Sequence, residues 1–276
     1  MIVDVHTHIY PPHMTTRILD AVRERAGVRS HTDGTLEGLL RSMGEARIDC
    51  SVVSRIATQP DQVEPINQWL RRIRHPQIFL LATMHPDFPA TPDFISSLKA
   101  EGFKGFKVHP DYQDFFVDER RAYPFYELAQ AEGMPVLFHV GVDPGLPTPV
   151  HASPQRLARV HSDFPHLRIV AAHMGGADMY QEVEHYLLGS DIYLDTSFVL
   201  RKMPTPLLKR FFARHPVERF LFGTDSPWLD QGEELRFLLS LPFLTDDAKE
   251  KIAGTNTARL LGLVGTAQKQ QERVDG

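Results

Sequence analysis

Along the chain, short apolar runs alternate with longer stretches in which apolar residues recur every three or four positions. The runs at residues 2–6, 50–56, 78–84, 103–108, 135–140, 168–172, 192–196 and 220–223 are rich in Val, Ile, Leu or Phe. Near-continuous apolar runs of this length suit parallel strands buried on both faces. Helical periodicity predicts helices over 35–47, 61–74, 92–100, 123–132, 154–163, 177–188 and 205–214, with two more, 233–240 and 246–261, after the last strand. Thr35, Ser153-Pro154 and Thr205-Pro206 supply helix-start signals, and Gly133 follows a helix end. Eight β-α units predict an α/β fold of the (β/α)8 TIM-barrel type rather than an open doubly wound sheet. No GxGxxG follows the first strand, which removes the main sign of a dinucleotide-binding sheet.

Three connections after strands exceed a minimal turn: 9–34, with an extra helix expected near 16–25, then 109–122 and 141–153. All three fall at strand C-termini, the face where barrel enzymes carry their sites. Composition adds little except exclusions. With 42% hydrophobic and 24% charged residues in 276, the chain has material for one large core. One domain is expected over 1–265, and the polar composition of 266–276 predicts a disordered tail. A formal net charge of -5 without long charge runs speaks against a nucleic-acid or acidic-membrane partner, and Arg71, Arg72 and Arg74 read as a solvated helix face. Cys50 is the only cysteine, so no internal disulfide forms. The absence of a leader or a membrane-length apolar stretch makes a cytoplasmic location the default expectation. Homo-oligomerisation stays open.

The chemistry gathers at strand ends. In Asp4-Val5-His6-Thr7-His8 the two histidines share a strand face and can grip one ion. His139, His173 and Asp225 each follow an apolar run, and a closed barrel brings these ends around one mouth. Burying several imidazoles and a carboxylate together is costly unless an ion or a polar network satisfies them. Imidazole with carboxylate suits one divalent ion, zinc first, with manganese or iron as alternatives.

These segments, with Gly105-Phe106-Lys107-Val108-His109-Pro110, Ala172-His173-Met174-Gly175-Gly176, Asp195-Thr196-Ser197 and Phe222-Gly223-Thr224-Asp225-Ser226-Pro227, resemble the amidohydrolase superfamily over essentially the whole chain. The nearest branch holds aminocarboxymuconate semialdehyde decarboxylase and small amide and lactone hydrolases. The resemblance implies His6, His8, His139 and Asp225 as metal ligands, Asp225 also as proton acceptor, and His173 as a catalytic group facing the ion. Lys107 and His109 share a face; the resemblance leaves open a carboxylated Lys107 bridging two metals, but a single ion with both residues facing substrate is the preferred expectation. Arg55 and Arg201 follow strands at the mouth and suit a substrate carboxylate. Trp228 and Tyr10 are placed to wall the pocket. The expected activity is hydrolysis of an amide, lactone or ester of a small carboxylated or cyclic compound. The alternatives are a decarboxylase or hydratase using the same site, and a non-catalytic binding barrel.

Overall fold

The computed structural model describes residues 1–146 and 148–263, so the tail expected at 266–276 lies outside the described residues. Strands and helices alternate as β1 (Val3–His8), α1 (Pro12–Ala26), α2 (Leu36–Ala46), β2 (Cys50–Ser54), α3 (Val63–Leu70), β3 (Ile78–Leu80), β4 (Ala82–Thr83), α4 (Pro92–Ala100), β5 (Phe106–Val108) and α5 (Tyr123–Ala131). They continue as β6 (Val136–Phe138), α6 (Pro154–Asp163), β7 (Ile169–Ala171), α7 (Tyr180–Tyr186), β8 (Tyr193–Asp195), α8 (Thr205–Arg214), β9 (Phe220–Leu221), α9 (Gln231–Ser240), α10 (Asp246–Glu250) and α11 (Asn256–Leu261). All strand pairings are parallel, in the orders β1-β2-β3 and β4-β5-β6-β7-β8-β9.

Two seams join these sheets into one ring. β3 and β4 are a single stave interrupted at Leu81, whose N–H donates to Val53 O at 2.9 Å while the Ala82 N–H donates to Gly105 O at 2.8 Å. Asn67 of α3 brackets the same stave, accepting from the Thr83 N–H at 2.9 Å and donating to Thr83 O at 3.1 Å. At the other seam the Val5 N–H reaches Phe222 O at 2.9 Å and the Asp225 N–H reaches His6 O at 2.8 Å. Asp4 reinforces this seam by accepting from Thr224 N and from Gln231 Nε2 of α9, at 3.0 and 2.8 Å. The expected (β/α)8 barrel is thereby closed.

Apolar side chains pack in two clusters. Val3, Val5, Val52, Leu137, Val170 and Leu221 fill the barrel interior, where Leu260, Leu261 and Leu263 of the C-terminal segment plug its floor. The larger cluster lies between staves and helices. Thr35 and Ser153 cap α2 and α6 as expected, whereas α8 starts at Thr205 without a side-chain cap. Several elements differ in extent from the sequence pattern. The helix expected at 246–261 is interrupted by a π turn at Lys251–Thr255, and the extra helix, expected at 16–25, runs over Pro12–Ala26.

One irregularity positions the site. The β1–β2 register slips by one residue between Asp4 and Thr7, so His8 pairs with Ser54 rather than one residue further along. This bulge changes the phase of β1: Val3 and Val5 face the interior, and past the extra residue His6 and His8 do so too. Gly223 leaves the room His6 needs, since a Cβ there would stand 3.0 Å from the His6 Cβ.

Packing also commits a histidine far from the mouth. His215, after α8, donates from Nε2 to Ile192 O at 2.9 Å and accepts the Gly189 N–H on Nδ1 at 3.1 Å. Burial pushes its pKa down to about 4. As pH falls through about 6.5 the unfolded chain takes up this proton and the folded one does not, so stability is lost between about 6.5 and 4. Denaturant titrations at pH 7 and 4.5 should show the wild type losing about 2–3 kcal/mol more than His215→Gln. Parallel losses in the two proteins would remove His215 from the acid sensitivity.

Candidate metal centre

Three imidazoles at the barrel mouth are held in one tautomer by acceptors that cannot donate. His6 Nδ1 lies 2.9 Å from Asp195 Oδ2, His8 Nδ1 3.1 Å from Ser54 O, and His173 Nδ1 3.2 Å from Ser197 O. Each Nδ1 therefore carries the proton, and each Nε2 presents its lone pair, the arrangement a metal-binding imidazole needs. Asp195 is fully buried and also accepts the backbone N–H groups of His173 and Ser197, both at 3.0 Å. Ser197 Oγ donates to Asp195 and accepts from the Nδ1 atoms of His6 and His173, each at 3.0 Å. Burial works against ionisation of Asp195, and His6, His173 and Ser197 outweigh it, bringing its pKa to about 2.

The lone pairs of His6 and His8 converge on Asp225. Its Oδ1 lies 3.1 Å from His8 Nε2 and 3.5 Å from His6 Nε2. Donor atoms of His6, His8 and Asp225 all fall within 4.8 Å of one another. Burial opposes ionisation of Asp225, and the two lone pairs facing its carboxylate oxygen repel it, a conflict that a divalent cation between them relieves. Lys107 Nζ stands 3.1 Å from His6 Nε2, fully buried, and burial pulls its pKa down to about 8. Burial and Lys107 together lower His6 to about 4. The backbone is strained here: Asp225, His173 and Phe198 have φ of 66°, 60° and 64°.

His139 stands beside this trio rather than within it. Its Nδ1 faces His173 Nε2 at 3.0 Å, and its Nε2 is buried without a hydrogen-bond partner among the described residues. His139, His109 and Asp143 form a second close grouping, in which His109 Nε2 is 3.3 Å from Asp143 Oδ2. The His109 and His139 rings stack at 3.9 Å with planes 11° apart. In-plane lone pairs of stacked rings cannot meet at one point, so this second grouping chelates poorly. The first trio fits a divalent ion: nitrogen and carboxylate donors of fixed tautomer, suited to zinc, manganese or iron.

A cavity of about 890 Å³ opens above the trio, and His109, Lys107, Arg55, Trp228 and Tyr10 all line it. Arg201 is not brought to it; its guanidinium pairs with Glu233 and Glu234 of α9. Sequence reasoning quoted Asp195-Thr196-Ser197 but gave Asp195 and Ser197 no place in the site. Their signal was the one used for His139 and His173, polar residues closing an apolar run. Asp143 was missed as well, in a Gly- and Pro-rich loop without periodicity.

A family model described as amidohydrolase matches residues 3–263. No curated protein matches the chain in sequence. Among solved structures, 5-carboxyvanillate decarboxylase from Sphingomonas paucimobilis is similar with a TM-score of 0.69 at 15% identity, over 94% of this chain and 98% of that one. A TIM-barrel protein from Bordetella bronchiseptica gives 0.70 at 23%, over 95% and 99%. A 2-pyrone-4,6-dicarboxylic acid hydrolase structure, so described as putative, from Pseudomonas putida gives 0.70 at 14%, over 95% and 98%. At these identities the likeness shows the barrel fold alone. Among the described residues, no helix is long and apolar enough to cross a membrane.

Metal content tests the grouping. Zinc-loaded protein should hold one equivalent per chain, which His8→Ala and Asp225→Ala largely lose, while Asp195→Asn weakens zinc affinity about 10–100-fold. Wild-type affinity in Asp195→Asn would show that the buried carboxylate does not serve the ligands.

Proposed function

Because the chain belongs to the amidohydrolase family of metal-dependent enzymes, we propose that it is a hydrolase acting on an amide, lactone or ester of a carboxylated compound. The ligands are His6, His8 and Asp225, with His139 completing the set, and zinc is the preferred ion. A divalent ion bound there would supply the lowered water pKa and the oxygen polarisation that such hydrolysis needs. The observation that carries the reading is the placement of Asp225, a carboxylate held against two Nε2 lone pairs and able to take the proton of an attacking water. His173, held by Ser197 and by the Asp195 contact to its backbone, is the second catalytic group: its Nε2, which accepts from His139 Nδ1 at 3.0 Å here, orients the attacking water once substrate binding releases that contact. Lys107 and His109 face the reacting end of the substrate, and Trp228 walls it.

Arg55 supports the carboxylate. Only 9% exposed, it lies 4.6 Å from the Tyr10 ring centre and 5.6 Å from that of Trp69. Among the described residues no carboxylate pairs with it and its guanidinium donates no hydrogen bond, although it lines the cavity. A buried guanidinium without a counter-ion is costly, and a substrate carboxylate offsets that cost with a bidentate pair.

Turnover in ¹⁸O-labelled water should place the label in the newly formed carboxylate of the product. Release of carbon dioxide, or reversible addition of water to a double bond, would overturn hydrolysis in favour of lyase chemistry. Asp225→Asn should lower kcat by at least about 10²-fold in protein that still holds metal; unchanged kcat there would remove Asp225 as the base. Arg55→Met should lower kcat/KM for a carboxylated substrate about 10–100-fold and leave its neutral analogue nearly unaffected. Equal losses on both would assign Arg55 to structure.

A further inference from the structure

Helix α1 carries an apolar face that the fold leaves only partly covered. Met14, Ile18, Ala21 and Val22 recur at three- and four-residue spacing, which places them on one stripe. Such stripes are normally buried against a core, yet Thr15 is the only buried residue of α1. The four apolar residues join neither packed cluster. α1 also makes no extensive contact with any other helix or strand.

What the stripe faces is the cavity. The same continuous space of about 890 Å³ is lined by the α1 stripe, by Val28 and Val142, and at its floor by His6, His8 and Asp225. That volume is near the upper end of the roughly 300–1,000 Å³ found for ligand pockets. A one-ring acid seated between Arg55 and the trio would leave most of it, and the cavity-facing side of the stripe, in contact with water. Arg17 and Arg25 line the cavity from the same helix and are exposed, so their stems extend the apolar surface while their heads stay in solvent.

We propose that the substrate carries an extended apolar body, an alkyl or aryl-alkyl chain, that lies along α1, and that Met14, Ile18 and Val22 set this preference. The proposal rests on the reading of Arg55 as the carboxylate partner, which places the polar end of the molecule beside the metal centre and its body towards α1. The long β1–α2 connection is then a specificity element, a helix held over the mouth to cover the part of the substrate that does not react.

Two homologous series separate this proposal from the reading it rests on. Acetate, butyrate, hexanoate and octanoate, and the corresponding primary amides, are titrated into zinc-loaded protein. Fluorescence reports binding, since the chain's two tryptophans, Trp69 and Trp228, both line the cavity. Affinity should rise roughly fourfold per added methylene in both series, as burial of each CH₂ requires. Ile18→Glu and Val22→Glu, made separately on this exposed helix, should each flatten that rise. Affinity independent of chain length, or a rise that persists in both glutamate variants, would overturn the proposal. The Arg55 reading is tested by the offset between the series: carboxylates should bind tighter than amides, and Arg55→Met should erase the difference. An offset that is absent, with the length dependence intact, would sink the carboxylate reading and leave the apolar body standing.

Discussion

The mouth of this barrel depends on one buried carboxylate. Asp195 accepts hydrogen bonds from the Nδ1–H of His6, the backbone N–H of His173 and the hydroxyl of Ser197, which in turn accepts from both imidazoles. A carboxylate sealed from water stabilises the fold only when its lone pairs are met, and here the donors are the groups whose orientation the chemistry needs. Because Asp195 closes β8, between the staves that end at His173 and Asp225, a single residue sets the tautomer of His6 and fixes the backbone of His173.

The surrounding backbone bears the cost of this arrangement. Asp225, His173 and Phe198 occupy left-handed conformations, each worth about 1–3 kcal/mol of strain for a residue with a side chain. The closing seam of the barrel holds Asp225 there, through its N–H to His6 O. Closure and the candidate metal centre therefore share a bond: the seam that completes the ring also aims the carboxylate at His6 and His8. Lys107 adds a positive charge against the same imidazole and favours its neutral, metal-binding form.

Much of the barrel was legible because parallel strands buried on both faces announce themselves as apolar runs, and His139, His173 and Asp225 stood out as the polar residues that end them. The shared face of His6 and His8 was also readable, since it follows from a two-residue spacing. What the chain could not disclose in advance was the bulge after Asp4, which alone brings those histidines to the same side as Val3 and Val5. Register slips have no signature in composition. Arg55 and Arg201 looked alike in sequence, each following a stave. They differ because Glu233 and Glu234 of α9 reach Arg201, a long-range pairing that depends on where two elements meet in space. The apolar face of α1 was likewise hidden, since its periodicity reads as a core-facing helix until its surroundings are known.

On this reading the ion sits among His6, His8 and Asp225, and not in the grouping of His109, His139 and Asp143. A crystal structure of zinc-loaded protein, with diffraction recorded on both sides of the zinc absorption edge, addresses it directly. One anomalous peak is expected at about 2.0–2.2 Å from His6 Nε2, His8 Nε2 and an Asp225 oxygen. A peak among His109, His139 and Asp143, with the first trio unliganded, would contradict it.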